Sequence, residues 1–320
     1  MKRKIITIIF SALAIFTLAL FIGPTPINPL NVNGVEREIL LSIRLPRILV
    51  SILMGMALGA SGAVLQGILR NPLADPYILG ISSGAALMAA FGIIMGLSSF
   101  GIVTIPLLAF IGALITGVFV GAMGWKRGGF WPDRLLLAGV GLGFLFSAML
   151  MLLMSVSSDE GLRRATLWIF GDLSIADWSV IPYGVLFISV GFIFAMTRAK
   201  ALNALMLGDD FAHSLGFSPR KERFHLFISV GLMTAASVSL GGMIGFIGLL
   251  VPHIGRFMFG SDSRVLIPVS ALGGGMLLCI ADLIGKSVLS PMELPAGIIT
   301  AILGAPYFLY LLRRKDVLSF

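Results

Sequence analysis

The residues that could bind a nucleotide or a metal do not form a complete site in this sequence. Gly285-Lys286-Ser287 resembles the end of a phosphate-binding loop, but Ile280 occupies the position that requires the first glycine. The three histidines and the single cysteine share no spacing typical of metal ligands. The sequence therefore predicts no catalytic residue, no metal site and no cofactor bound by this chain.

A carboxylate inside the membrane would indicate proton coupling, because buried charge is costly and is usually functional. Asp282 is the clear candidate in the apolar segments. Lys286 follows one helical turn later, which favours an ion pair between these two residues near the outer interface over a proton relay. A proton-coupled secondary transporter stays open as an alternative, but we expect the energy to come from another subunit.

The composition places these residues in a membrane protein. Of 320 residues, 58% are hydrophobic and 12% are charged, whereas a soluble domain carries about 25% charged residues. The net charge of +8 comes from cations near the ends of apolar segments, a pattern that indicates topology rather than nucleic-acid binding. We predict an all-α polytopic membrane protein in contact with lipid.

The apolar segments predict about ten transmembrane helices in one domain that covers residues 1–320. The segment 226–259 is too long for one crossing and too short for two full helices with a loop. We predict that it crosses twice, as short helices broken near Gly241–Gly248 with a contribution from Pro252, because one crossing would leave Arg313-Arg314-Lys315 outside. The other segments are approximately 5–23, 48–69, 78–97, 102–123, 135–156, 180–196, 265–284 and 298–312.

The longest inner loop, about 198–224, carries its own helix signals. Asp209 or Asp210 can cap a short helix, Gly216 can end it, and Ser218-Pro219 can begin a second short helix. We expect two short helices at a tight angle. They form either a solvated connector or a docking surface for a cytoplasmic partner.

Cations also occur at the predicted outer surface, where positive charge is disfavoured. Arg44-Leu-Pro-Arg47 precedes the second span, and Lys286 lies near the outer end of the ninth. Such residues commonly anchor a helix at the interface. An acidic external partner is the alternative explanation of their clustering.

Several motifs together resemble the signature of FecCD-type permeases, which serve iron-siderophore and vitamin B12 ABC importers. They occur in order from about residue 40 to residue 313. The matching segments are Arg44-Leu-Pro-Arg47, Gly59-Ala-Ser-Gly62, Gln66, Arg70-Asn71-Pro72, Asp75-Pro76, Leu79-Gly80, Gly139, Trp168-Ile-Phe-Gly171, Leu207-Gly208, Leu215-Gly216, Gly245-Phe-Ile-Gly248, Pro252-His253, Arg256, Ala281-Asp282, Glu293-Leu-Pro295 and Gly304-Ala-Pro306.

The resemblance implies a ten-helix subunit with the fold of the vitamin B12 importer permease. Two such subunits, identical or related, would form the pathway, with two ABC ATPases beneath them and a substrate-binding protein outside. ATP would be bound by the ATPases, so this chain is not expected to be an enzyme. The implied cargo is an iron(III)-siderophore complex, with haem or cobalamin as alternatives. The implied location is the bacterial cytoplasmic membrane, with both termini in the cytoplasm.

The resemblance also implies roles for individual residues. Arg44, Arg47 and Lys286 would receive acidic residues of the binding protein, although the vitamin B12 permease pattern has arginine where this chain has Lys286. His253 is expected to form a structural hydrogen bond rather than to bind iron, because a siderophore already saturates the metal. The residues implied to couple to the ATPase are Leu207, Gly208, Asp209, Asp210, His213, Leu215, Gly216, Ser218 and Pro219. Those implied to be structural or to line the pathway are Gln66, Asn71, Pro72, Gly245, Gly248, Pro252 and His253.

Overall fold

The computed structural model describes residues 2–23, 27, 34–126 and 129–313. Its strands form one short antiparallel hairpin of β1 (Trp125–Lys126) and β2 (Gly129–Phe130), and helices dominate the rest. The all-α prediction is confirmed. The α-helices are α1 (Lys2–Phe21), α2 (Gly34–Glu38), α3 (Leu45–Leu69), α4 (Ile81–Ile94), α5 (Thr104–Gly124), α6 (Pro132–Ser155), α7 (Asp159–Ile169), α8 (Ile181–Thr197), α9 (Ala199–Leu207), α10 (Asp209–Ser214), α11 (Pro219–Gly241), α12 (Ile247–Phe259), α13 (Ser263–Val288) and α14 (Ala296–Arg313).

Many of these helices are long and apolar enough to cross a bilayer. Five helices are long enough and apolar enough to cross a membrane. They are α5, α6, α11, α13 and the continuous helix Gly34–Leu69, in which a π-helical segment joins α2 to α3. Helices α8 and α9, which meet at an angle of 55°, are together long and apolar enough to form one span. Four shorter apolar helices lie within α1, α4, α12 and α14. These elements coincide with the predicted spans, and the number of crossings stays a prediction.

Helix α3 forms the centre of the packing because glycines bring neighbouring backbones against it. A Cβ atom added to Gly55 would lie 2.2 Å from the carbonyl oxygen of Gly274, and one added to Gly59 would lie 2.1 Å from that of Ser270. Both carbonyls belong to α13. The Gly-x-x-x-Gly pattern of α3 therefore serves packing between helices of one subunit.

The chain breaks between α11 and α12, within the predicted interval. Gly242 and Phe246 have positive φ angles, of 83° and 68°, and the helix resumes at Ile247. Two details of the prediction are wrong. Helix α11 has 23 residues, so only α12, with 13, is short. Pro252 does not form the break but lies inside α12. Its ring and its missing N–H affect the turn before it, which is the first turn of the same helix.

The predicted coupling loop also differs from expectation. Its two short helices are α9 and α10, whereas the helix that begins at Pro219 is the first turn of the long α11. Gly208 is the N-cap of α10, and neither Asp209 nor Ser218 makes the predicted side-chain cap. Gly216 ends the helical turn with φ of 83°, a conformation that glycine adopts at little cost.

Helix α7 was not predicted, although its N-terminal signals are present. Ser158 accepts a hydrogen bond from the amide of Gly161 at 3.2 Å, and Asp159 and Glu160 occupy the first turn. A serine cap followed by acidic residues favours a helix start.

Of the five long spans named above, α6 is the least buried. Only 17% of its apolar stretch is buried inside the chain, compared with 78% of the apolar stretch of Gly34–Leu69. Leu137, Phe144 and Met151 on α6 are at least 70% exposed. This helix must face lipid or another protein chain, because such side chains are not left in water.

Candidate functional site

Gln66 connects the end of α3 to the proline-containing turn of α12. Pro252 has no N–H to donate to the carbonyl of Gly248, four residues earlier. Nε2 of Gln66 lies 3.1 Å from that carbonyl oxygen, 3.2 Å from the carbonyl oxygen of Ala74 and 3.4 Å from that of Leu249. The glutamine side chain is fully buried. It therefore satisfies a backbone group that the proline leaves without its helical partner.

The turn after α3 is part of the same structure. Arg70 ends the helix with φ of 48°. Oδ1 of Asn71 accepts from the amide of Leu73 at 2.9 Å, and its carbonyl accepts from the amide of Ala74 at 3.1 Å. Pro72 lies inside this turn. Gln66, Asn71 and Pro72 thus act together in shaping the backbone that packs against α12.

Arg256 and His253, both on α12, extend this contact toward α14. Nη1 of Arg256 donates to Oε1 of Gln66. The ring of His253 packs edge to face against Phe257, with centroids 5.3 Å apart, and 6.2 Å from the ring of Tyr307. Among the described residues, Nε2 of His253 has no hydrogen-bond partner. The predicted structural hydrogen bond is therefore not present at this atom.

The link between Gln66 and Pro252 predicts a specific energetic coupling. Gln66→Leu should destabilise the protein by about 2 kcal/mol, because it leaves the carbonyl of Gly248 buried without a donor. In a Pro252→Ala background the same substitution should cost about 1 kcal/mol less, since the alanine amide can donate to that carbonyl. Thermal unfolding of the four purified proteins in detergent measures both costs. Equal costs in the two backgrounds would contradict the assignment.

Asp209 joins the predicted coupling loop to two long helices. Its carboxylate accepts from Nη1 and Nη2 of Arg223 on α11, at 2.7 and 2.5 Å. It also pairs with Nη2 of Arg70, at the end of α3. Nε of Arg70 donates to the carbonyl of Leu205 on α9 at 2.7 Å. Hydrogen bonds from Arg223, with smaller contributions from the charges of both arginines, lower the pKa of Asp209, so the carboxylate is ionised at neutral pH.

Three further polar contacts hold α9. Asn203 donates through Nδ2 to Oδ1 of Asp262 at 2.8 Å and accepts from the amide of Ser263 at 2.8 Å. Arg198, just before α9, pairs with Glu222 on α11 at 3.1 Å. Helices α9 and α10 are therefore connected to the ends of α3, α11 and α13 by directional contacts. A movement of this short helical pair would act on three long helices together.

The other residues of the predicted coupling surface lie around this connection. Leu207, His213 and Leu215 are exposed, and Asp210 is exposed beside the buried Ala212. The sequence had indicated the loop but not the contacts of Arg70, Arg198 and Asn203. Arg70 was present in a recognised motif, but its partner is distant in sequence.

The predicted outer cations lie inside the subunit. Arg47 is 9% exposed and binds Asp282 through Nε and Nη2, with N···O distances of 2.9 to 3.0 Å. Its Nη1 lies 2.6 Å from Oε2 of Glu293. The predicted pair of Asp282 with Lys286 is wrong, because Arg47 offers a planar bidentate partner from the adjacent helix. Lys286 instead donates to the carbonyl of Ala19 at 3.0 Å.

Arg44 is buried as well. Its Nη1 donates to the carbonyl of Leu20 at 2.7 Å. Arg44 and Lys286 thus bind consecutive carbonyls near the end of α1, where a helix leaves its last carbonyls without partners and favours positive charge. Docking of an acidic partner at Arg44, Arg47 and Lys286 stays a prediction.

Gly245 lies in open space, whereas Gly248 lies in a close contact with Gly62. A Cβ atom at Gly245 would meet nothing within 4 Å, whereas a Cβ at Gly62 would lie 1.9 Å from the carbonyl oxygen of Gly248. The close approach of α3 to α12 therefore depends on Gly62.

Among the described residues no group of three or more His, Cys, Asp or Glu could hold a metal ion.

Comparison with known proteins gives a consistent relationship. The sequence profile of the FecCD transport family matches residues 9–314. The hemin transport system permease protein HmuU of Yersinia pestis is 40% identical over 293 residues, 88% of this chain and 85% of that protein. The iron(3+)-hydroxamate import system permease protein FhuG of Bacillus subtilis is 35% identical over 316 residues, 94% of each chain. The vitamin B12 import system permease protein BtuC of Vibrio cholerae is 36% identical over 304 residues, 95% and 91%.

A solved structure supports the same assignment. An inward-facing conformation of a protein described as a metal-chelate type ABC transporter superposes with a TM-score of 0.87 and 29% identity, covering 98% of this chain and 99% of that one. The likeness extends over the whole helical fold, including the regions that contain the clusters around Gln66, Asp209 and Arg47. The chain belongs to the FecCD transport family and is a multi-pass membrane permease of the ABC importer type.

Proposed function

We propose that this chain forms the translocation pathway of an ATP-driven importer and is moved by a separate ATPase. The observation that carries this proposal is the connection of α10 to α3 and α11 through Asp209. A short cytoplasmic helix pair held to several long helices can transmit a rigid-body displacement from a partner. ATP would be bound and hydrolysed by two copies of that partner, leaving no catalytic step to this chain.

The exposed face of α6 supports pairing with a second permease, identical or related. Only 17% of the apolar stretch of α6 is buried inside the chain, so this helix offers an apolar face that a second subunit can cover. An extracytoplasmic binding protein would deliver the cargo at the opposite end of the pathway. We place the complex in the bacterial cytoplasmic membrane, with both termini in the cytoplasm.

An iron(III)-siderophore complex is the cargo that we propose first. The relatives with names that refer to iron complexes include the FhuG protein, which supports this class. Haem is the second candidate, because the HmuU protein shows 40% identity, and cobalamin is the third. The proton-coupled alternative is weakened by the structure, since Asp282 is held in a bidentate ion pair with Arg47.

Purification of the tagged protein from its native host, with mass spectrometry of co-purifying chains, tests the proposal. Recovery of an ABC ATPase and an external binding protein is expected and would show whether a second permease is present. The recovered complex, reconstituted in liposomes, should transport one of ferric hydroxamate, ferric citrate, hemin or cobalamin only with ATP. Isolation of the chain alone in a transport-competent form would refute the ABC mechanism.

A further inference from the structure

We propose that Glu293 is an internal competitor for the binding protein: its carboxylate occupies the position on Arg47 that an acidic residue of the partner must take. The inference rests on the proposed function, in which a binding protein docks from outside, and on the predicted pairing of an acidic residue of that protein with Arg47. It adds a control step to docking, because the partner has to displace a carboxylate that this chain already supplies.

The geometry of Arg47 separates an inner carboxylate from an outer one. Asp282, 3% exposed, holds Nε and Nη2 from the interior. Glu293 holds Nη1 at 2.6 Å, and its side chain is 37% exposed. Glu293 is therefore the more exposed of the two carboxylates that bind Arg47. Arg44 and Lys286 each donate to a carbonyl oxygen of α1.

An incoming carboxylate cannot share this position freely. Nη1 of Arg47 already lies 2.6 Å from Oε2 of Glu293, so a partner carboxylate that pairs with Nη1 must take the place of Glu293. Two carboxylates within about 4 Å of each other repel, and the repulsion increases where water is excluded by the docked protein. The stable arrangement after docking has one carboxylate from the partner on Nη1 and Glu293 displaced.

Displacement of Glu293 would act directly on α14. Glu293 lies in the segment between α13 and α14, and α14 begins at Ala296. The amide of Leu294 donates to the carbonyl of Gly285 at 3.0 Å, and the amide of Ala296 donates to that of Gly171 at 3.2 Å. These contacts leave a very short path from the ion pair to the helix start. Docking is thereby coupled to the position of a membrane helix.

The test measures binding of the co-purified external binding protein to the permease–ATPase complex in lipid nanodiscs. Glu293→Gln keeps the side-chain shape and removes the competing charge, so affinity should increase by about three- to tenfold. Glu293→Ala should give an increase of similar size. The gain should shrink at high salt, because the competition is electrostatic.

Glu160→Gln is the matched control. It removes the same charge from another acidic residue on the predicted outer side, on α7, where the Glu160 side chain is 76% exposed and 3.7 Å from Arg164. Its effect on affinity should be small. The inference is overturned if both Glu293 variants bind like the wild type or like Glu160→Gln. Absence of binding by the wild type would instead refute the proposed docking, and the inference with it.

Discussion

Gly62→Ala should cause severe loss of the folded permease, with a destabilisation of at least about 3 kcal/mol, the upper end of the range for overpacking. The added Cβ would lie 1.9 Å from the carbonyl oxygen of Gly248. A backbone carbonyl cannot rotate away as a side chain can, so α3 and α12 would have to separate. The separation would also stretch the hydrogen bond from Gln66 to Gly248. Yield and thermal stability of the detergent-purified protein measure the effect.

Gly245→Ala is the control for this prediction. It makes the same chemical change in the chain that leads into α12, at a position where a Cβ meets nothing within 4 Å. Its stability should remain within about 0.5 kcal/mol of the wild type. Similar losses in the two variants would show that the clash at Gly248 is not the cause.

Asp209→Asn should separate ATP hydrolysis from transport in the reconstituted complex. The substitution removes the anion that holds Arg70 and Arg223, and the Arg223 side chain is only 8% exposed. Because Asp209 is about half exposed, we expect the substitution to weaken its contacts with the two arginines by about 1.4 kcal/mol. A loss of that size added to the activation free energy of transport makes transport about tenfold slower. Hydrolysis by the partner should be much less affected. Parallel assays of ATP consumption and cargo uptake in liposomes give both values.

Asp210→Asn provides a matched comparison, because it removes the same charge from the adjacent residue. Among the described residues Asp210 forms no ion pair within 4.0 Å, and it is exposed. Its uptake rate should stay close to that of the wild type. If the two variants slow uptake equally, the loop acts through its surface charge rather than through the pairs with Arg70 and Arg223.

The sequence was sufficient to predict the membrane environment, the all-α class and the positions of the apolar helices. Bilayer thickness imposes a length on each span, and that length is visible in one dimension. The break between α11 and α12 was predicted for the same reason, because 34 residues fit neither one crossing nor two full ones. Short-range signals such as Gly216 and Ser218-Pro219 also marked helix boundaries, since caps act within one turn.

Contacts between distant residues were decided only by the tertiary structure. The neighbour in sequence suggested Lys286 for Asp282, yet Arg47, 235 positions away, donates from Nε and Nη2 to the two carboxylate oxygens. Likewise, Pro252 was assigned to the break, whereas the donor that compensates for it is Gln66 on another helix. Ion pairs and carbonyl partners depend on which helix faces come together, and helix faces of nearly uniform apolarity do not encode that choice locally.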